Sequence, residues 1–216
     1  MHSHFSPDSD VTPERLVARC EKVGLSCIAV TDHNTVEGAL AARKIAPFTV
    51  IIAEEVGSSE GEITGLFLQE TIPAGLSPLE TVRRIKDQGG LVSVPHPFDR
   101  FRGHVITRAA LDEILPHIDI VEAFNARNSL QSDNRRAREF AREHGLVESG
   151  VTDAHTTFEL GRTYVEMRQF NGPEDFKRAL SEATIVCKAV TPLVHVATAL
   201  TKIKRRLRGK RRTPGS

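Results

Sequence analysis

Apolar and polar positions along this chain switch between a helical and an extended period. In TPERLVARCEKVG, Leu16, Val17, Cys20 and Val23 share one face, Thr12 stands as N-cap, Pro13 opens the helix and Gly24 stops it. The next run, SCIAV, reads as a short buried strand that ends at TDHN. The same grammar recurs in SPLETVRRIKDQGG, where Ser77 and Glu80 form a capping box, Pro78 starts the helix and Gly89 and Gly90 close it. LVSV follows as a strand and ends at PHP. Further strands are predicted at FTVIIAEE, ITGLFL, DIVEAFN, LVESGVTD and RTYVEM, with helices at RAALDEILPHI, DNRRAREFAREHG and GPEDFKRALSEA. Such alternation predicts an α/β fold with a mainly parallel sheet, open or closed into a barrel.

The 216 residues suffice for one domain that buries its own core. No apolar run reaches the eighteen or so residues of a membrane span, and the basic-then-apolar start of a signal peptide is lacking, so the chain reads as cytoplasmic. Cys20, Cys27 and Cys187 form no C-x-x-C pair and read as reduced, packed thiols. The net charge of +1 conceals an asymmetry: KIKRRLRGKRR (202–212) holds eight Lys or Arg and no acid, leaving the remainder at −7. The chain thus divides into a body over 1–190 and a basic helix or tail over 191–216, in which Val196, Leu200, Ile203 and Leu207 are spaced for an amphipathic helix. The tail is either a solvated end or a weak contact for RNA or an anionic membrane.

Candidate chemistry gathers where predicted strands end. Asp32 and His33 follow IAV, Glu54 and Glu55 follow VIIA, His96 follows VSV, Glu122 and Asn125 lie in and after IVEAF, and Asp153 and His155 follow ESGV. In parallel α/β folds these ends share one face, where sites are built. Charged groups converging there repel one another unless a cation neutralises them, which favours a metal site over packing. The pairs His2/His4 and Asp153/His155 are two apart, so each points to one side in extended backbone. Mixed imidazole and carboxylate donors suit zinc, manganese or iron(II), and their surplus over four points to more than one ion.

HSHFSPDSD, GLSCIAVTDHNTVEGA, AEEV, SVPHP and GVTDAHTTFELG together resemble the polymerase and histidinol phosphatase (PHP) family over almost the whole chain up to about residue 190. The resemblance implies a distorted seven-stranded (β/α) barrel with a short or truncated first strand, two or three divalent ions, and hydrolysis of phosphate esters by a metal-activated hydroxide. It implies metal ligation by His2, His4, Asp8, His33, Glu55, His96, Asp153 and His155, with Glu55 bridging and Glu55, Asp153 and His155 central to catalysis. Arg100, Arg102 and Arg162, with Asn34 and Asn125, are the expected substrate contacts, since guanidinium fits phosphate bidentately. Ala53 stands where the family usually has Gly. Many members also carry a histidine between the bridging Glu and PHP. None occurs over 56–95; Glu62 reads as a solvated turn carboxylate, with substitution for that histidine as the alternative.

Two alignments of the start remain. The ungapped one makes His2 the second histidine of the family's Asp-x-His-x-His strand and Asp8 the loop ligand, so that part of the strand lies upstream; the other makes His2 and His4 the pair. In the first, His2 lacks strand ties and is expected to fray. His104, His117, His144 and His195 read as ordinary surface or packing residues. The expected substrate is a small phosphomonoester or nucleotide, and the low aromatic content argues against an extended single-strand channel. A binding or regulatory protein that has lost full catalysis, and a metal-dependent amide or lactone hydrolase, are the competing readings.

Overall fold

The computed structural model describes residues 1–187. Helix α1 (Pro13–Val23) begins where Thr12 accepts a hydrogen bond from Arg15 N–H and ends at Gly24, whose φ of 76° suits glycine. After β1 (Cys27–His33) comes α2 (Glu37–Ile45), then β2 (Thr49–Ser58) and β3 (Gly61–Leu66). Ser77 caps α3 (Pro78–Asp87) through Glu80 N–H, and β4 (Leu91–Val94) follows. Thr107 likewise caps α4 (Arg108–Ile114), which tightens into a 3-10 turn over Leu115–His117. The remaining elements are β5 (Ile120–Asn125), α5 (Gln131–Glu143), β6 (Val147–Val151), β7 (Tyr164–Glu166), α6 (Gly172–Ser181) and β8 (Thr184–Val186).

Strands β1 to β6 form one curled sheet in sequence order, and β7 and β8 form a separate antiparallel ribbon. The β1–β2, β4–β5 and β5–β6 pairings are parallel, each linked through a helix. Strand β3 departs from the mainly parallel expectation. Only two residues separate it from β2, so the chain reverses and β3 runs antiparallel to both neighbours. Six strands, not seven, make the sheet among the described residues. At its open edge Met1 O accepts from Thr31 N–H (2.9 Å), and His2 N–H donates to Ala154 O (2.9 Å). These bonds correct the expected fraying: His2 is tied on both sides and only 3% exposed.

Alternation along β2 assigns its residues to two cores. Val50 and Ile52 join α1, α2, α3 and α4 residues on the convex face; Ile51 and Ala53 join Leu66, Leu91, Ile120 and Leu180 inside the curl. Phe67, Phe170 and Phe176 pack edge-on there, with centroids 5.0 to 6.3 Å apart. No described helix is long and apolar enough to cross a membrane. The basic tail and its amphipathic segment lie outside the described residues, as does the boundary expected at 190.

Candidate metal centre

Beyond the inner core the same face turns polar. His33 and Glu55 are parallel register partners, as are Asp32 and Glu54 one residue earlier. Alternation sends the first pair into the curl and the second to the convex face. The reversal of β3 brings its start to the end where β2 finishes, with Glu62 opposite Gly57. Glu62 is therefore buried, 8% exposed, with its oxygens 3.5 Å from His33 Nδ1 and 3.6 Å from His96 Nε2. This overturns the solvated-turn reading.

Glu55 stands at the middle. Its Oε2 lies 3.4 Å from both His2 Nε2 and His33 Nδ1, and its Oε1 lies 3.2 Å from His96 Nε2. Asp8 Oδ2 lies 3.5 Å from His33 Nε2 and 3.2 Å from His155 Nε2. Asp153 Oδ1 completes the ring 3.2 Å from His2 Nε2. The rings of His33 and His155 flank His2, with centroids 4.7 and 4.3 Å away. Two donor groups emerge, His2/Asp8/His33/His155 and His33/Glu55/Glu62, each with donor atoms within 4.8 Å of one another. His96 and Asp153 hold left-handed backbone, φ 30° and 52°, and Asn34, next to His33, has φ 58°. Such conformations cost about 1–3 kcal/mol each and persist where surroundings over-determine them.

Burial and charge act together in this cluster. Burial, then the charges of His155 and His33, lowers the His2 pKa to about 4, so its ring is neutral at ordinary pH. Burial opposes ionisation of Glu55, but His96 and His33 outweigh it and hold the carboxyl at about 2. Burial likewise opposes Asp8, which hydrogen bonds with His155 and His33 hold well below the carboxylate range. Burial, reinforced by the Glu55 charge, pushes Glu62 up to about 7. Burial opposes protonation of His33, yet Asp8 and Glu55 raise it to about 9.

The donors fit divalent ions. Their nitrogen to oxygen separations of 3.2 to 3.6 Å exceed the roughly 2.7–2.9 Å of a charge-assisted hydrogen bond. Between an imidazole nitrogen and a carboxylate at that range belongs a proton or a cation. At His2 Nε2, which lies between two carboxylates, a divalent ion satisfies the nitrogen and both oxygens together, whereas a ring hydrogen reaches only one of them.

Of the expected site residues, His2, Asp8, His33, Glu55, His96, Asp153 and His155 converge. His4 stands apart, tilted against Phe5 at 4.5 Å. Arg102 joins the centre, with its guanidinium hydrogen-bonded to Asp153 and to Asp99 Oδ2 (3.1 Å). Asn125 Nδ2 donates to Glu122 Oε2 (3.0 Å) and Asp153 Oδ2 (3.3 Å). Arg100 turns instead to Asp133 and Ser132 at α5, and Arg162 is exposed in the turn after Glu159. The side-chain oxygen of Asn34 accepts from Gly57 N–H (2.7 Å), bracing the β1 and β2 ends.

Further residues support these donors, of which Arg127 and Glu159 escaped the sequence reading. Glu122 Oε2 accepts from His96 N–H (3.0 Å). Glu159 Oε2 accepts from His155 N–H (3.0 Å) and from Thr156 N–H and Oγ1, while its Oε1 lies 3.3 Å from Arg127. Glu122 carried a signal, since it sits near a strand end; Arg127 and Glu159 carried none beyond residue type.

Comparison with known proteins agrees with this architecture. The PHP domain matches residues 1–79, and the PHP-associated region matches 131–185. Two uncharacterized proteins of Methanocaldococcus jannaschii are related: one is 43% identical over 56% of this chain and 70% of its own length, the other 33% identical over 66% and 58%. This chain thus spans a little over half of the second relative. A two-domain Bacteroides vulgatus protein, described as containing a predicted PHP-like metal-dependent phosphoesterase, superposes with TM-score 0.66 at 16% identity over 87% of this chain and 63% of its own. The lesion-specific endonuclease Q of Pyrococcus furiosus superposes with TM-score 0.61 at 16% identity over 86% and 56%. An endonuclease Q is also described with an abasic lesion of duplex DNA at its active site. With the strand-end motifs, the sheet and both family regions in agreement, this chain belongs to the PHP domain family.

Proposed function

We propose that the chain is a metal-dependent phosphoesterase acting on a phosphomonoester or nucleotide-type substrate. The observation that carries this reading is the buried convergence of donors, in which His2 Nε2 lies 3.2 and 3.4 Å from Asp153 and Glu55 carboxylate oxygens. His2, Asp8, His33 and His155 would hold one divalent ion, and His33, Glu55 and Glu62, with His96, a second. Zinc, manganese or iron(II) suits this mixture of nitrogen and oxygen donors. Divalent ions there supply Lewis acidity, which lowers the pKa of a water and neutralises phosphoryl charge. The carboxylates of Glu55 and Asp153 would accept hydrogen bonds from that water and orient it, and His155 would serve beside Asp8 as a donor. Arg102 spends two of its five N–H donors on Asp99 and Asp153, and the rest are free to clamp phosphate oxygens.

Exposed aromatics favour a nucleotide among such substrates. Phe5, Phe101 and Phe158 are 41%, 71% and 78% exposed and lie on the loops that carry Asp8, Arg102 and His155. Stacking on a base is worth about 1–3 kcal/mol per ring, so a few well-placed rings matter more than overall aromatic content. Phosphate release from glycerol 2-phosphate and adenosine monophosphate, and release of shorter fragments from a short oligonucleotide, test the proposal with zinc- or manganese-loaded full chain. Release above the metal-stripped control is expected, greatest with a nucleotide substrate; no release from any of them rejects it.

A further inference from the structure

Residues 3–6 fold back over the end of β1 as a turn closed by Ser6 N–H donating to Ser3 O (3.0 Å), and Asp32 fills its inside. Asp32 Oδ1 accepts from Ser3 N–H (2.6 Å) and Ser6 Oγ (2.9 Å), and its Oδ2 accepts from Ser3 Oγ (2.6 Å). All three residues are at most 1% exposed. Gly38 of α2 seals the far side: a Cβ there would lie 1.9 Å from Asp32 Oδ2 and 2.4 Å from Ser3 Oγ, so glycine alone leaves room. Asp32 looks by type and position like one more ligand, but it lies on the convex face, turned away from the donor groups.

The Ser6 hydroxyl constrains the ring of His2. A hydroxyl carries one hydrogen and two lone pairs. The hydrogen goes to Asp32, because withholding it would leave a buried carboxylate against bare oxygen. The same oxygen accepts from His33 N–H (2.9 Å) and faces His2 Nδ1 at 3.2 Å; with its hydrogen on Asp32 it cannot donate to that nitrogen, which must bring its own. We propose that Asp32 is a positioning residue which, relayed through Ser6, fixes His2 in its Nδ1–H tautomer and presents the Nε2 lone pair to Glu55 and Asp153. Carboxylates commonly orient metal-binding histidines directly; here a hydroxyl stands between and also pins the backbone of His33. The same clip aligns two donors of one group through one carboxylate. The inference rests on the reading of His2 as a ligand.

The test is ring-nitrogen NMR of the 15N-labelled, metal-stripped full chain, with His2 assigned by difference from His2→Ala, followed by zinc competition against a chelator. Wild type is expected to show a protonated Nδ1. Ser6→Ala should move the ring toward the Nε2–H form and weaken zinc roughly 10–100-fold. Ser9→Ala, which removes a tie to the backbone carbonyls of His2 and His155, should leave the tautomer unchanged. Asp32→Asn, which keeps the shape and an oxygen acceptor, should retain Nδ1–H where Asp32→Ala loses it. A wild-type ring without a hydrogen on Nδ1, or a Ser6→Ala ring identical to wild type, overturns the proposal. Failure of wild type to take up zinc would instead count against the ligand reading, since the ring measurement is made without metal.

Discussion

The Nε2 of His2 lies 3.2 Å from Oδ1 of Asp153, joining positions 151 residues apart at the point where the curled sheet closes. Asp153 does this from left-handed backbone, φ 52°. Asparagine tolerates that conformation, whereas alanine pays about 1–2 kcal/mol. Asp153→Asn, which loses the ion pair with Arg102 but not the backbone fit, is therefore expected to fold with a smaller loss of stability than Asp153→Ala while losing hydrolysis. Asp153→Ala should lose hydrolysis and also melt earlier. Thermal denaturation beside phosphate release separates the two effects.

Glu62 joins His33 and Glu55 in the second donor group. Glu62→Ala should cost the ion of that group and leave the one held by His2, Asp8, His33 and His155. Elemental analysis after reconstitution should then find about one equivalent less than wild type, with turnover down by roughly a hundredfold as the attacking water loses its alignment. Undiminished metal content would remove Glu62 from the centre.

Much of this arrangement was legible in the sequence, and the gaps have definite causes. Helices α1 and α3 announce themselves through Thr12, Ser77 and the prolines that follow. Helix α2 went unseen because Val36 offers no side-chain cap and its buried face is Gly38, Ala39 and Ala42, too small to stand out as a hydrophobic stripe. The short β8 strand also escaped, with three residues and no clear alternation. Glu62 was misjudged because alternation gives the side a residue faces but not the direction its strand runs. Ser6, Asp32, Arg127 and Glu159 act through loops folding back on strand ends, and no local spacing encodes that.

Arg127 and Glu159, 4% and 1% exposed, brace the turn that carries His155. Breaking a buried pair of this kind by removing one partner typically costs about 3–5 kcal/mol. Glu159→Ala also strips the acceptor from His155 N–H and Thr156 N–H. It should lower the denaturation midpoint by that order even in metal-stripped protein, with Glu159→Gln milder because an oxygen acceptor remains. Chemical denaturation of both variants reads the difference.

Asp119 offers a pH test away from the centre. Burial opposes its ionisation, but Lys177 Nζ at 2.7 Å, Lys86 and Val92 N–H hold its carboxyl below the ordinary value. A carboxyl depressed on folding contributes fully above its unfolded pKa, near 3.9, and loses that contribution as pH falls through the folded value. Asp119→Asn should therefore be destabilising at neutral pH and show a shallower loss of stability on acidification. Melting curves from neutral to acidic pH check the slope.

The proposed chemistry requires that the two donor groups hold divalent ions. Elemental analysis of the full chain, reconstituted with zinc or manganese and freed of loose metal, tests it most directly. About two or more equivalents per chain are predicted, at least one for each donor group, falling in His155→Ala and Glu62→Ala. Less than one equivalent in the wild-type protein would contradict the account.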